Sequence, residues 1–214
     1  MATISALRRK SPWAGRAARG REQEMKREAV LRTAIALFND RGFHATSLDD
    51  VARALNVTKP TIYYYFRNKD EILFEGLRRG IDEIRAGGLA AEQRGGDAME
   101  RLCAYLRAYA IVVTTDFGIC VTRTADHELS TAARARFRAG KREIDAALRR
   151  IVEDGMREGT IAAGDPRLVT FTLLGALNWI ARWYDPRGGL SPEDVADQCV
   201  ATLVRGLAPR PVGG

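Results

Sequence analysis

Apolar residues recur along this 214-residue chain mostly at three- and four-residue spacing, the period of a helix buried on one side. From about Glu22 to Arg41, Leu31, Ala34, Ile35 and Phe38 share a face, and Gly42 can take positive φ and stop the helix. Thr46 or Ser47 then caps a short helix ending near Leu55, with Asp49 and Asp50 where carboxylates suit the positive helix end. Asn56 follows, one of the few non-glycine residues that tolerate left-handed backbone. Thr58 caps a two-turn helix over about Lys59 to Tyr65, with Pro60 in the first turn, where a missing N–H costs little. Asn68 caps a fourth helix, predicted to run to about Arg85 before Gly87 and Gly88 weaken it.

The remainder predicts long helices over about Ala98–Thr115, Thr131–Arg157, Asp165–Tyr184 and Pro192–Leu207, separated by Gly159, Gly164, Asp185-Pro186 and Ser191. No strand pair or internal repeat is evident, so the fold class is all-α. The predicted division is a flexible basic arm (1–20), a three-helix helix-turn-helix domain (21–68), a helical body (69–208) and a tail (209–214). The arm has two readings, a phosphate-neutralising extension or a solvated tail.

Charge sharpens this picture. Residues 1–69 carry 14 Lys/Arg against 6 Asp/Glu, a balance of +8 within a whole-chain charge of +7. The basicity belongs to the head, as expected of a nucleic-acid-binding unit on a neutral body. Cys103, Cys120 and Cys199 lack metal-ligand spacing and read as buried thiols of a reducing cytoplasm. The most apolar run, Leu168 to Tyr184, is too short to span a bilayer and contains Asn178 and Arg182. Met1 leads into a basic stretch with no secretory apolar core, so a soluble cytoplasmic protein is expected. There is no Gly-rich phosphate loop, nucleophile elbow or metal cluster, and His44 and His127 are the two histidines. An enzyme is not expected, and neither a cofactor nor a metal.

The informative stretch is Thr46 to Leu73. Two short helices about a tight turn make a helix-turn-helix, with Val51, Ala52, Leu55, Val57 and Ile62 spaced to form its core. The second helix offers hydroxyls and one ammonium, from Thr58, Lys59, Thr61, Tyr63 and Tyr64, that suit phosphates and base edges. Three consecutive tyrosines argue against an ordinary surface turn, because a small core takes only some of them. Lys69 lies in the first turn of the next helix, where backbone N–H groups also favour phosphate.

Phe38…Gly42-Phe43, Ala45-Thr46-Ser47, Val51-Ala52, the run Val57 to Phe66 and Lys69-Asp70-Glu71 resemble the DNA-binding domain of the TetR family of bacterial repressors. The resemblance covers about residues 22–75. Asn56 replaces the usual turn glycine, and Pro60 replaces a common glycine. The resemblance implies phosphate contacts from Thr46, Tyr63 and Lys69, with Ser47 beside them. It implies groove contacts from Thr58, Lys59, Pro60, Thr61 and Tyr64, while Tyr65 and Phe66 hold the motif to the body.

It also implies a homodimer on a near-palindromic operator, paired through the helices at about 165–184 and 192–207. There Gly175, Ala176, Ala201 and Gly206 would allow close approach, and Val195, Val200, Leu203 and Val204 would supply apolar contact. An effector pocket is implied among the central helices. Its candidate lining is Tyr105, Tyr109, Val113, Phe117, Phe137, Ile144, Phe171, Leu174, Asn178, Trp179 and Arg182, each of which also suits plain core packing. The stretch Gly175 to Pro186 is similar to TetR-type repressors of fatty-acid and steroid catabolism that respond to acyl-CoA thioesters. Arg134, Arg136, Arg138, Lys141 and Arg142 are candidates for the thioester's phosphates, or else a solvated helix face. A hydrophobic or aromatic drug-like effector, and an effector-less DNA-binding adaptor, are the competing readings.

Overall fold

A computed structural model describes the backbone of residues 12–207 and the side chains from residue 20 to 207. Residues 1–11 of the expected arm, and the whole of the tail, lie outside the described residues. The described chain forms ten α-helices and one short 3₁₀ turn, with no strand among them.

Helix α1 (Pro12–Arg41) begins ten residues before the expected start, so residues 12–20 are helix rather than arm. Its apolar face, Leu31, Ala34, Ile35 and Phe38, is buried as the spacing requires. Helices α2 (Leu48–Ala54) and α3 (Lys59–Tyr65) follow the sequence closely. Ser47 caps α2: its Oγ accepts from the Asp50 N–H, and the Asp50 carboxylate accepts from the Ser47 N–H. Asn56 takes φ 54° in the turn, where a β-branched residue would be strained.

Helix α4 (Lys69–Gln93) runs straight through Gly87 and Gly88, eight residues beyond the expected end. Tertiary packing explains this. A Cβ at Gly88 would stand 2.5 Å from Tyr105 Cε2, so the glycine lets α4 lie directly against α5 (Ala98–Val112). What those residues cost in helix propensity is offset by burial. The expected helix to Thr115 instead ends at Val112, and a separate α6 (Asp116–Arg123) departs at 95°. Thr115 caps α6. Gly118 is required there, because a Cβ would lie 1.9 Å from the Val112 carbonyl oxygen.

Helix α7 (Thr131–Glu158) ends on Gly159 at φ 76°. The expected single helix over 165–184 is two, α8 (Pro166–Asn178) and α9 (Ile180–Trp183), divided at Trp179. Helix α10 (Pro192–Arg205) packs along α5. Among the described residues no single helix is long and apolar enough to cross a membrane. One core runs through both parts, from Leu31, Val51 and Ile62 in the head to Leu106, Leu148 and Leu177 in the body. Head and body meet where α1 packs on α4 and α6.

Candidate functional site

The helix-turn-helix core is Val51, Ala52 and Ile62, all buried, with Leu55 half-buried. Val57 is not part of it: the residue follows the left-handed turn at Asn56 and is 39% exposed. With its inner face spent on Ile62, α3 turns the rest outward. Thr58, Lys59, Pro60, Tyr63 and Tyr64 are exposed, Tyr64 by 68%, and Thr61 is half-buried with its hydroxyl 3.0 Å from that of Thr58. Tyr65 is half-buried and Phe66 fully buried beneath the Arg27 guanidinium.

Where α3 meets the starts of α2 and α4, a cleft of about 380 Å³ is lined by Ser47, Asp49, Lys59, Tyr63, Asn68 and Lys69 among others. Two helix N-termini and two ammonium groups border it, a setting that favours phosphate. Thr46 lines this cleft but is buried, and its hydroxyl, expected to contact phosphate, is turned inward to the Gly42 carbonyl at 2.9 Å, where it fixes the turn. Lys69 is half committed: its Nζ donates to the Phe43 carbonyl at 3.0 Å and lies 4.4 Å from the Phe43 ring centroid. The Lys59 ammonium lies 2.7 Å from Asp49 Oδ2, which raises its pKa.

In the body, a cavity of about 210 Å³ lies among α5, α6, α7 and α8. Of the expected lining, Tyr109, Ile144, Leu174 and Asn178 meet there. The Tyr109 hydroxyl donates to Asn178 Oδ1 at 2.6 Å, which satisfies both polar groups within the mixed wall. Burial, reinforced by Tyr105, pushes the Tyr109 phenol well above its usual range, so it stays a donor. Val121, Thr122, Thr124 and Lys141 complete the lining. The first three lie on or just beyond α6, an element the sequence reading did not resolve; Thr115 as a cap beside Gly118 was the signal for it.

The other candidates go elsewhere, for stated reasons. Phe117 faces α1 and α4, between the guanidiniums of Arg32 and Arg79. Val113 is buried core. The Tyr105 hydroxyl donates to the Ile144 carbonyl at 3.4 Å, with its ring against Gly88. Phe137 borders a groove between α4 and α7. Phe171, Trp179 and Arg182 lie on the outer surface, because α8 buries Thr170, Leu173 and Leu177 instead. The basic run on α7 is partly neutralised: Arg138 and Lys141 hold the Asp126 carboxylate, whose pKa they lower, and Arg134 donates to the Asp126 and Leu129 carbonyls. Val195 and Val200 are buried against α5 of their own chain, so they do not supply the outward contact expected of them.

Helix α6 links this cavity to the head. Asn39, at the end of α1, donates to the Asp116 carbonyl at 2.9 Å, and Arg123 Nη1 donates back to the Asn39 carbonyl at 3.0 Å. Arg123 Nη2 bonds the Ala181 carbonyl of α9, and its Nε is buried without a partner. Burial, with Arg182 nearby, draws its pKa below the guanidinium norm.

Residues 30–75 match the family described as bacterial regulatory proteins, tetR family. Residues 95–207, more than half the chain, match the tetracyclin repressor-like C-terminal domain. The chain belongs to the TetR family. It is a helix-turn-helix, DNA-binding transcriptional regulator. The transcriptional repressor KstR2 of Rhodococcus jostii is 24% identical over 189 residues, covering 86% of this chain and 91% of that one. AibR, solved with isovaleryl coenzyme A and operator DNA, is 30% identical, covers 83% of this chain and 97% of its own, and superposes with a TM-score of 0.73. PfmR from Thermus thermophilus is also 30% identical, with coverage of 84% and 99% and a TM-score of 0.75.

Proposed function

We propose that this TetR-family regulator is a repressor that binds a near-palindromic operator as a homodimer and leaves it when a small effector enters the cavity among α5–α8. The observation that carries the DNA half is the outward array on α3, with Lys59, Pro60, Tyr63 and Tyr64 exposed around a cleft bordered by Lys69. On this reading Ser47, Tyr63 and Lys69 serve phosphates, while Thr58, Lys59, Pro60, Thr61 and Tyr64 face the bases. A two-turn helix reads few base pairs, so two copies on half-sites about 34–36 Å apart supply the specificity.

Support for pairing comes from α8 and α9. Leu168, Phe171 and Trp179 are exposed at helical spacing on one face, with open space at Gly175 and Trp183 beyond. Such a stripe is costly to leave in water and marks an interface. Ala176 and Ala201 are also exposed, and Leu203 and Val204 half-buried.

The effector assigned is an acyl-CoA thioester. AibR, at 30% identity, was solved with isovaleryl coenzyme A, and a cavity of about 210 Å³ with Val121, Ile144 and Leu174 beside hydroxyl and amide groups suits the short acyl group and thioester carbonyl of such a ligand. Fluorescence anisotropy on a duplex selected from a random library tests the whole scheme. Tight, dimer-dependent binding is expected, weakened roughly 5- to 150-fold by a short-chain thioester. Binding with no sequence preference would refute the operator reading. A selected duplex unaffected by any short-, long- or aromatic-chain thioester would refute the effector.

A further inference from the structure

A second apolar opening lies on helix α4, apart from the cavity among α5–α8. A half-open groove of about 260 Å³ runs between α4 and α7, floored by Phe74, Leu77 and Ile81 on one side and Phe137 and Gly140 on the other. It shares no lining residue with that cavity. Gly140 shapes it: a Cβ there would sit 2.9 Å from Ile81 Cγ2, so the glycine brings the helices together at the floor. Phe74 is half-buried, and its ring is covered by the Arg136 guanidinium 4.8 Å from the centroid.

The rim cations differ from one another. Arg78 is held by Glu75 and Asp82, and Arg85 by Glu143 and Asp82. Arg136 has no carboxylate partner among the described residues. One guanidinium is therefore left to answer an incoming anion, directly above an aromatic floor. Past the Arg85–Glu143 pair the same seam opens again into a hollow of about 180 Å³ beside Leu89, Tyr105 and Ala147. An apolar floor with a single convergent charge is the usual composition of a small-ligand site.

The geometry points to a second ligand site in the α4–α7 groove, separate from the cavity among α5–α8, that takes a compact amphipathic carboxylate. Its apolar body lies on Phe74, Leu77, Ile81 and Phe137, and its carboxylate takes the Arg136 guanidinium from the Phe74 ring. Occupancy wedges α4 away from α7. Because the first turn of α4 carries Lys69, a displacement of α4 reaches the DNA-binding head directly.

Isothermal titration of the full chain with octanoate, and with octanol as its uncharged counterpart, tests this. Saturable one-site binding of octanoate is expected, at least tenfold tighter than octanol. Arg136→Gln should weaken octanoate about tenfold, the loss of one charge-assisted contact. Ala139→Trp, which fills the groove from a half-buried position, should abolish binding, and Leu174→Trp, which fills the other cavity, should leave it unchanged. Circular dichroism confirms that each variant is folded. The site is overturned if octanoate does not saturate, if octanol binds as well, or if Leu174→Trp and not Ala139→Trp removes binding.

Discussion

Lys59 is the one ammonium on the exposed face of the recognition helix, and Asp49 holds it at 2.7 Å. Both side chains are about half exposed, so the pair contributes little to stability. Its consequence is for DNA. On the proposed reading, Asp49 screens Lys59 from passing phosphates and releases it where the groove offers a better partner. Asp49→Asn removes the charge but keeps the shape. We expect it to tighten binding to random-sequence duplex several-fold and to steepen log K against log salt by about 0.9 per subunit. Anisotropy titrations across a salt series measure both; an unchanged slope would show that Lys59 is already free. The neighbouring turn shows how much single residues disclose. Asn56 and Pro60 were legible because each acts on its own backbone, whereas Thr58 stands at the expected cap position but its hydroxyl meets that of Thr61 and makes no cap hydrogen bond. Thr46 was not legible, since its hydroxyl turns toward carbonyls of α1 and the following turn.

At the scale of elements, α6 is the joint. Its residues touch the cavity through Val121 and Thr122, the end of α1 through Arg123, and α9 through the same guanidinium. On the proposed reading, an effector that shifts α6 disturbs the Asn39 carbonyl in the head through Arg123. Arg123→Met keeps the length of the side chain and removes its donors. It leaves two carbonyls short of a partner, at roughly 1–3 kcal/mol for each that stays dry. A fall of several degrees in Tm is expected by thermal unfolding. DNA binding that no longer responds to the effector is the accompanying result in anisotropy. The helix was invisible to periodicity because it is short and closely follows α5; the bend depends on Gly118 meeting the Val112 carbonyl, a contact with no trace in spacing. The same holds for α4, whose Gly87 and Gly88 read as an end and are instead the place where α5 lies close.

For the molecule as a whole, the proposed function rests on the apolar stripe on α8 and α9 as the contact between two copies. Phe171 and Trp179 are 49% and 65% exposed in the single chain, and a second copy is the partner that a two-fold operator requires. Placing a charge in such a contact is strongly unfavourable once water leaves. Trp179→Glu should therefore yield monomers by sedimentation velocity, with the fold intact because the side chain stands largely in solvent within its own chain. Operator affinity should drop by a factor of about 10² or more as the linked second half-site is lost. A Trp179→Glu protein that stays dimeric would move the interface elsewhere, most directly to the outer face of α10.

Local chemistry, acting within a few residues, was settled by the chain alone: the all-helical class, a cap at Thr46 or Ser47 and one at Asn68, the two-turn helix α3 and the basic head. Each follows from backbone capping, periodicity or summed charge, which need no knowledge of distant neighbours. Only the tertiary structure decided which aromatic residues share a cavity. Tyr109 and Asn178 meet across 69 positions, while Phe117, Phe171 and Trp179 part company. One-dimensional spacing places a side chain on a helix face, but which face meets which neighbour is set by close packing of all the helices at once.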